Sequence, residues 1–550
     1  MRRLSPPAAG LILGLLTGLA DAAFVILEPG GVSATALAAV VWTWATIGCL
    51  TGVVFGSRWR GIALMAAGPA LLLLARATIP FKGASGWSTS KVLLAWGAVS
   101  LLLCAAGALA RFRDSARRGR WAIAALVSLA LLLVSAADPD VPRASARHSN
   151  VTPGAPHNVV LIVLDTARYD DTMAAAPHIA AFARSAVSFD NAWTPAAWTV
   201  PSHFAMFTGR DPWTVPFDAD ANRYQYGGTW LAGHFRARGY ATGAVFSNNR
   251  LTEHEGYGRD FDELTYSRQS GVCRSGIGYL LGYSNRHTQR QPPLCERMDA
   301  SEVAERARSF MRRARRPYFL ALNFIDPHDP YLVLCRDFPY ATNWERRAVT
   351  LATPRRPAKP ATVARVREQY RAAIGCMDRA VGALLRELDD GRTVIAIVAD
   401  HGEQFGEHGL GGHGTSVYRE VLHVPLIVKA PSLAPARVAD AVSTTDLYLS
   451  LIRAARGASM PLLDPRQRRP AVAQFDLAGN GVGAYSVARG NLHFIRFRDG
   501  RELLFDFARD PNESRPLPVT AESAPLRDLV LQARRQEQRR VEFEALGYLR

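Results

Sequence analysis

Cysteine is scarce in this chain, with six among 550 residues, and their spacing does not resemble a zinc site. A dense disulfide framework and a cysteine-held structural metal are both excluded as organising principles. There is no internal repeat, so a solenoid or propeller is not expected. Basic–aromatic repeats are missing too. The formal charge of +17 therefore does not point to nucleic acid. Arginine is instead spread through helices and loops, and part of it lies between apolar runs.

Those runs dominate the first quarter of the chain. Five stretches, about 8–27, 34–55, 61–77, 92–110 and 121–137, each approach the length that crosses a bilayer as a helix, roughly 20 residues. Arg2 and Arg3, Arg58 and Arg60, then Arg111, Arg113, Arg117, Arg118 and Arg120 flank alternate ends. The opposite connections hold little besides Arg76, Lys82 and Lys91. The positive-inside rule then puts the amino terminus in the cytoplasm and everything after residue 137 outside. The first stretch also fits a signal peptide, with Ala20-Asp21-Ala22 as a loose cleavage site, which leaves the same outside location. The expectation is a multi-pass protein of the cell (inner) membrane with an extracytoplasmic catalytic domain.

The organisation read from composition is a bundle of about five spans over 1–138, a Pro/Ser/Ala-rich linker over 139–156, a domain over 157–515 and a charged helical tail over 516–550. Cys49 and Cys104 fall within apolar spans and serve as small packing residues. Cys273, Cys295, Cys335 and Cys376 are exported, which permits two disulfides; Cys273–Cys295 closes a plausible loop, and free buried thiols are the alternative.

In the exported part, Asn158–Leu164 is a continuous apolar, β-branched run, and similar runs recur at 241–247, 318–325, 393–399 and 424–428. Helical patterns intervene at 177–187, 229–238, 301–313 and 362–388. This alternation predicts an α/β domain with a mostly parallel central sheet flanked by helices. The stretch 485–507, with turns at Arg489-Gly490-Asn491 and Asp499-Gly500, predicts a small C-terminal antiparallel sheet, followed by a helix over 524–546.

Ligands of such sheets gather beyond the carboxyl ends of the strands. Asp165, Asp326 and Asp400 each follow a predicted strand directly. In WTVPSHFAMFTGR, Thr199 stands at the start of a helix-like run closed by Gly209, where free backbone N–H groups favour anions. A hydroxyl there that only caps its helix is the plainer alternative. Asp165, Asp400 and His401, with Thr199, form a reasonable ligand set for one divalent cation, Mn²⁺, Ca²⁺, Mg²⁺ or Zn²⁺. Such a cation activates an aliphatic hydroxyl that is otherwise a poor nucleophile. His328 and His413, in Gly- and Pro-flanked turns, are candidates to bind ester oxygens or to protonate a leaving alkoxide, and His203 is a further candidate for substrate contact.

NVVLIVLDTAR, TPAAWTVPSHFAMFTGR, NFIDPHDPY and VADHGEQFGEHGLGGHGTSVYREVLHVPLIV resemble, in order and spacing, the motifs of the sulfatase branch of the alkaline phosphatase superfamily. The tail RELLFDFARDPNE is similar to the "LYDLxxDPxE" ending of many such domains, so the resemblance covers 158–513. It implies an alkaline-phosphatase-like fold in which Asp165, Asp400 and His401 are metal ligands, Thr199 is the nucleophile, and His328 and His413 contact the ester.

Two departures matter. Sulfatases proper carry a Cys or Ser that is oxidised to formylglycine; a threonine at that place, Thr199, cannot yield the aldehyde. The usual Asp-Asp pair also reads Asp165-Thr166, which removes one carboxylate and favours a less crowded metal site; relatives with two metals carry a D-x-x-x-H ligand pair, and Asp326-Pro327-His328 is spaced differently, so one metal is expected. A threonine nucleophile instead resembles lipoteichoic-acid synthases, phosphoethanolamine transferases and nucleotide pyrophosphatases. The expectation is a membrane-anchored hydrolase or transferase of phosphate or sulfate esters, with phosphoryl-type transfer favoured and a lipid or cell-envelope glycan as substrate. Its rivals are a sulfuric ester hydrolase lacking formylglycine and a catalytically inactive envelope protein.

Overall fold

The computed structural model describes residues 157–219, 222–267, 298–314, 317–333, 335–336, 338–476 and 483–545. The five expected spans, the linker and the Cys273–Cys295 pairing lie outside these residues. Among the described residues no helix is long and apolar enough to cross a membrane.

Strand β1, Asn158–Leu164, is buried at all seven positions. A run apolar on both faces needs cover on both sides, so it sits inside a helix-flanked sheet. Seven further strands complete that sheet: β2 (Val187–Trp193), β3 (Ala241–Phe246), β4 (Glu263–Tyr266), β5 (Tyr318–Phe324), β6 (Thr393–Ala399), β7 (His423–Lys429) and β8 (Ala436–Ser443). Their order is β8-β2-β7-β6-β1-β5-β3-β4. Strand β1 pairs parallel with β5 and β6, β3 pairs parallel with β5 and β4, and β8 pairs parallel with β2. Strand β7 runs antiparallel to both of its neighbours, β2 and β6. The sheet is mostly parallel, as the alternation of runs predicts.

Three strands, β2, the four-residue β4 and β8, escape the sequence pattern. The expected helix over 177–187 stops at Arg184, and Val187 opens β2 instead. Its sequence VSFDNAW buries alternate positions at first, a period-2 signal too short to read unaided. Strand β8 is an edge strand with mostly exposed residues, so it lacks an apolar signature.

Helix α1 (Thr199–Thr208) is buried along its whole length and ends at Gly209, whose φ of 67° closes the helix in the left-handed region. Helix α2 (Ala300–Arg313) begins where the Asp299 side chain accepts the Glu302 N–H. Helix α3 (Asn343–Thr350) starts with a reciprocal Thr342–Glu345 capping box. The long helix α4 (Pro360–Leu388) has proline in its first turn, where a missing N–H costs nothing. A disulfide joins Cys376 of α4 to Cys335 in the loop after β5.

Strands β9 (Ala471–Asp476), β10 (Gly483–Arg489), β11 (Leu492–Phe497) and β12 (Glu502–Asp506) form the expected antiparallel sheet, with one strand more than the sequence suggests. Helix α5 (Ala524–Ala545) packs on this sheet. Its Leu526, Val530 and Ala533 share a core with Tyr485, Val487, Phe494 and Leu504. Burial of Leu526 and Val530 contributes about 1.5–3 kcal/mol each.

Candidate active site

The carboxyl ends of three parallel strands on one stretch of the sheet deliver the polar groups. Asp165 follows β1, Asp400 and His401 follow β6, and Asn248 lies two residues beyond β3. Thr199, the first residue of α1, points its hydroxyl at the same place. Its Oγ1 is 3.2 Å from Asn248 Nδ2 and 3.5 Å from His401 Nε2. It makes no side-chain cap of its own helix, so the plainer capping alternative is set aside.

Each carboxylate has one oxygen held and one open. Asp165 Oδ2 accepts from Asn248 Nδ2 at 2.7 Å and from Asn323 Nδ2 at 3.1 Å. Asp400 Oδ1 accepts the backbone N–H of Thr166 at 3.1 Å and of His401 at 2.9 Å. Asp165 Oδ1 and Asp400 Oδ2 are buried with no hydrogen-bond donor. His401 Nδ1 donates to the Gly402 carbonyl at 2.9 Å, which leaves Nε2 with its lone pair toward the carboxylates. Ligand atoms of Asp165, Asp400 and His401 all lie within 4.8 Å of one another. Two orphaned carboxylate oxygens beside an imidazole lone pair fit a divalent cation and little else.

Electrostatics agree. Burial pushes the Asp400 carboxyl well up, and the like charge of Asp165 adds to it. Burial acts upward on Asp165 as well, yet His328, His401, the Asn248 amide and His203 outweigh it and hold that carboxyl down. Burial forces His401 well below its ordinary value, helped by His413. Neutral His401 is the form a cation needs.

Thr166 supplies the amide that fixes Asp400, and does so with φ at 58°. A β-branched residue in the left-handed region is strained, at a cost on the order of 1–3 kcal/mol. Its hydroxyl donates to the Asp165 carbonyl at 2.7 Å, which holds the turn.

His413 and His328 lie beside this cluster. The His413 ring lies 4.5 Å from that of His401 and 5.0 Å from that of His328, centre to centre. His413 Nδ1 donates to Glu403 Oε1 at 3.0 Å, and Glu403 Oε2 accepts the Tyr331 hydroxyl at 3.2 Å. Burial acts downward on His413, but the Glu403 carboxylate prevails and holds its pKa above the ordinary histidine value. His328 Nδ1 donates to the Asp329 carbonyl at 2.9 Å.

Thr199, Asp165, Asp400, His401, His328 and His413 therefore converge. His203 does not reach the open side: it has no exposed surface, and burial lowers its pKa to about 4. Its Nδ1 donates to the Thr199 carbonyl at 2.9 Å and lies 3.5 Å from Asp400 Oδ2. In this structure it lies against the carboxylates, as the hydrogen bond to Thr199 and the approach to Asp400 place it. Asp326 stays outside the cluster as well; its Oδ1 accepts the N–H of Ala300 at the start of α2. Asn248, Asn323 and Glu403 were not anticipated. The strand-end rule that picks out Asp165 and Asp400 applies equally to Asn248.

The C-terminal sheet is tied to this site. Glu513, in the DPNE segment, accepts the Arg419 N–H at 3.0 Å and the His493 Nδ1–H at 2.5 Å. Arg419 opens the short helix Arg419–Leu422, in which the Val421 carbonyl accepts the N–H of Gly402 at 2.9 Å. Gly402 adjoins His401.

A mostly parallel sheet bearing a buried carboxylate–imidazole cluster beside a helix-borne hydroxyl is the arrangement that the sequence motifs imply. The chain belongs to the sulfatase family, whose model, described as Sulfatase, matches residues 157–458. Iduronate 2-sulfatase of Homo sapiens is 26% identical over 334 residues, covering 50% of this chain and 60% of that enzyme. Choline-sulfatase of Rhizobium meliloti (strain 1021) is 23% identical over 395 residues, covering 62% of this chain and 76% of that protein. The fold is similar to phosphonate monoester hydrolase of Agrobacterium radiobacter, with a TM-score of 0.52 at 18% identity over 69% of this chain and 96% of that one. A 2-O GAG sulfatase aligns with the same TM-score of 0.52, at 17% identity over 69% of this chain and 93% of that one. The chain spans 60% of the length of the iduronate 2-sulfatase it matches.

Proposed function

We propose that this chain is a membrane-anchored, metal-dependent hydrolase or transferase in which Thr199 is the nucleophile, with phosphorus rather than sulfur as the preferred centre. The observation that carries the reading is the position of Thr199 Oγ1, buried at the cation cluster and within 3.2 Å of the amide that also holds Asp165. Asp165, Asp400 and His401 would hold the cation, with Thr199 beside them. A bound divalent cation lowers the pKa of a neighbouring hydroxyl and neutralises an ester oxyanion.

Asn248 orients the Thr199 hydroxyl by donating to its oxygen, which leaves the Thr199 proton free to depart. A bond from Thr199 Oγ to phosphorus forms as the ester P–O bond opposite breaks. The departing oxygen takes a proton from His413 or His328, and the proton released by Thr199 passes through solvent to reprotonate that histidine. Glu403 accepts from His413 and holds its pKa above the ordinary histidine value, which favours the protonated form that donates to and attracts the ester oxygens. Water or an acceptor hydroxyl then attacks the phosphothreonine and regenerates the free side chain.

Phosphorus is preferred on chemical grounds. A phosphothreonine can be released by in-line attack, whereas a threonine sulfate lacks the collapse that formylglycine allows. The anchor rests on the five apolar runs and their arginine bias. Tethering raises the local concentration of membrane-borne esters, which favours a lipid or envelope glycan substrate.

A second reading, hydrolysis of a sulfate ester by unmodified Thr199, draws on the names of the relatives, iduronate 2-sulfatase and choline-sulfatase. Incubation with an aryl phosphodiester or an aryl sulfate, acid quench and mass mapping of the Thr199 peptide separates the two. A phosphorus adduct on Thr199 supports the first reading. An unmodified peptide from an enzyme that is turning over defeats it.

A further inference from the structure

Helix α3 borders the catalytic histidines. Its Arg346 Nε lies 3.6 Å from Asp329 Oδ1, next to His328. Its last turn packs on the two glycines before His413: a Cβ built on Gly411 would meet the Val349 carbonyl at 1.7 Å, and one on Gly412 the Thr350 carbonyl at 2.9 Å. Val349 and Ala352 are buried beneath it.

The outer face of this helix has the wrong polarity for water. Trp344, Ala348 and Leu351 are all exposed, and at i, i+4 and i+7 they form one stripe. Trp344 is 70% exposed and Leu351 51%, the two most exposed large apolar side chains among the described residues. A helix at the rim of a water-facing cleft normally turns charged residues outward. The segment that follows, TPRRPAKP, is exposed and basic. Arg355, Arg356 and Lys359 form no salt bridge with any acidic group among the described residues.

We propose that α3 and residues 351–359 dock on an anionic phospholipid surface, which sets the active-site mouth against the headgroup layer. Tryptophan and leucine suit the headgroup–acyl boundary, and the three cations complement its negative potential. Leucine is the discriminating residue: it gains nothing from a sulfated glycan, but it gains from acyl chains. The inference deepens the lipid-substrate reading given above and rests on it for the substrate, not for the contact itself.

The test uses the full chain reconstituted in vesicles of phosphatidylcholine alone, or with one part in three of phosphatidylglycerol. Hydrogen exchange is followed for peptides covering 344–359. Exchange should be slower in the anionic vesicles by on the order of tenfold, reflecting a local opening suppressed by contact. The protection should vanish in about 1 M salt, where charges are screened beyond about 3 Å. R355E/R356E and W344S/L351S should each lose the protection, while turnover of a short soluble ester stays unchanged and confirms an intact fold. Equal exchange in both vesicles overturns the proposal, as does protection by a soluble sulfated oligosaccharide irrespective of lipid. Normal protection without phosphodiester turnover would defeat the chemical reading and leave the docking standing.

Discussion

Replacing Asn248 with alanine isolates the group that joins nucleophile to ligand. Its amide makes one charge-assisted bond, 2.7 Å to Asp165 Oδ2, and one neutral bond, 3.2 Å to Thr199 Oγ1. The neutral bond that orients the hydroxyl is worth about 0.5–1.5 kcal/mol, which at 1.36 kcal/mol per tenfold is about 2- to 13-fold in rate. Asn323 still donates to Asp165 Oδ2 at 3.1 Å, so the carboxylate keeps one support and the cluster survives. The loss should fall on kcat, because the hydroxyl is misoriented, with KM nearly unchanged. Steady-state kinetics with an aryl phosphodiester read both, and metal content by mass spectrometry checks that the cation is retained. Asn323→Ala is the companion: it touches Asp165 but not Thr199 and should weaken cation affinity more than kcat. If Asn248→Ala kept kcat within a factor of two while holding its metal, the assignment of Thr199 orientation to this amide would be wrong.

Thr199→Ala should lose turnover by on the order of 10⁴-fold or more while retaining cation, and Thr199→Ser should keep measurable activity. Glu403→Gln tests the acid. His413 sits above its ordinary pKa because of Glu403, so its protonated form is present below that raised value and is lost as pH rises through it. The variant should move the alkaline limb of kcat/KM to lower pH; an unmoved limb excludes His413 as the acid. Asp400→Asn makes a sharper point about the cation. The Asp400 carboxyl is raised in the fold, so ionising it costs stability as pH climbs from the ordinary carboxylate range through the raised value. In chelator at neutral pH the variant should therefore melt above the parent, whereas saturating cation, at 100 times Kd worth about 2.7 kcal/mol, should stabilise only the parent. Removing the Cys335–Cys376 link by double serine substitution should cost about 4 kcal/mol for a separation of 41 residues, seen as a lower denaturation midpoint.

Much of the site is legible without coordinates because chemistry and position coincide. Asp165 and Asp400 end apolar strands that must be central, and central parallel strands deliver their ends to one edge. Thr199 is readable because Pro201 and Gly209 mark the first turn and the end of the helix that it opens. Asn248 escapes for want of charge, and Asn323 because it lies within a strand that otherwise reads as pure core. Direction is what sequence conveys worst. His203 is four residues after Thr199 and so shares its helix face, but one turn deeper it meets packed atoms. Strands β2 and β8 are hidden for a related reason: at the sheet margin, pairing rather than hydrophobicity decides the conformation.

The bond from Glu513 to Arg419, relayed through Val421 and Gly402 to the residue beside His401, makes order of synthesis matter. A ribosome delivers the ligands long before it delivers the acid that braces them. Nascent chains should therefore pass through an interval in which the ligand loop exists without its brace. Stalled chains ending before residue 513 would bind metal poorly, and a chaperone or export factor has that interval in which to act.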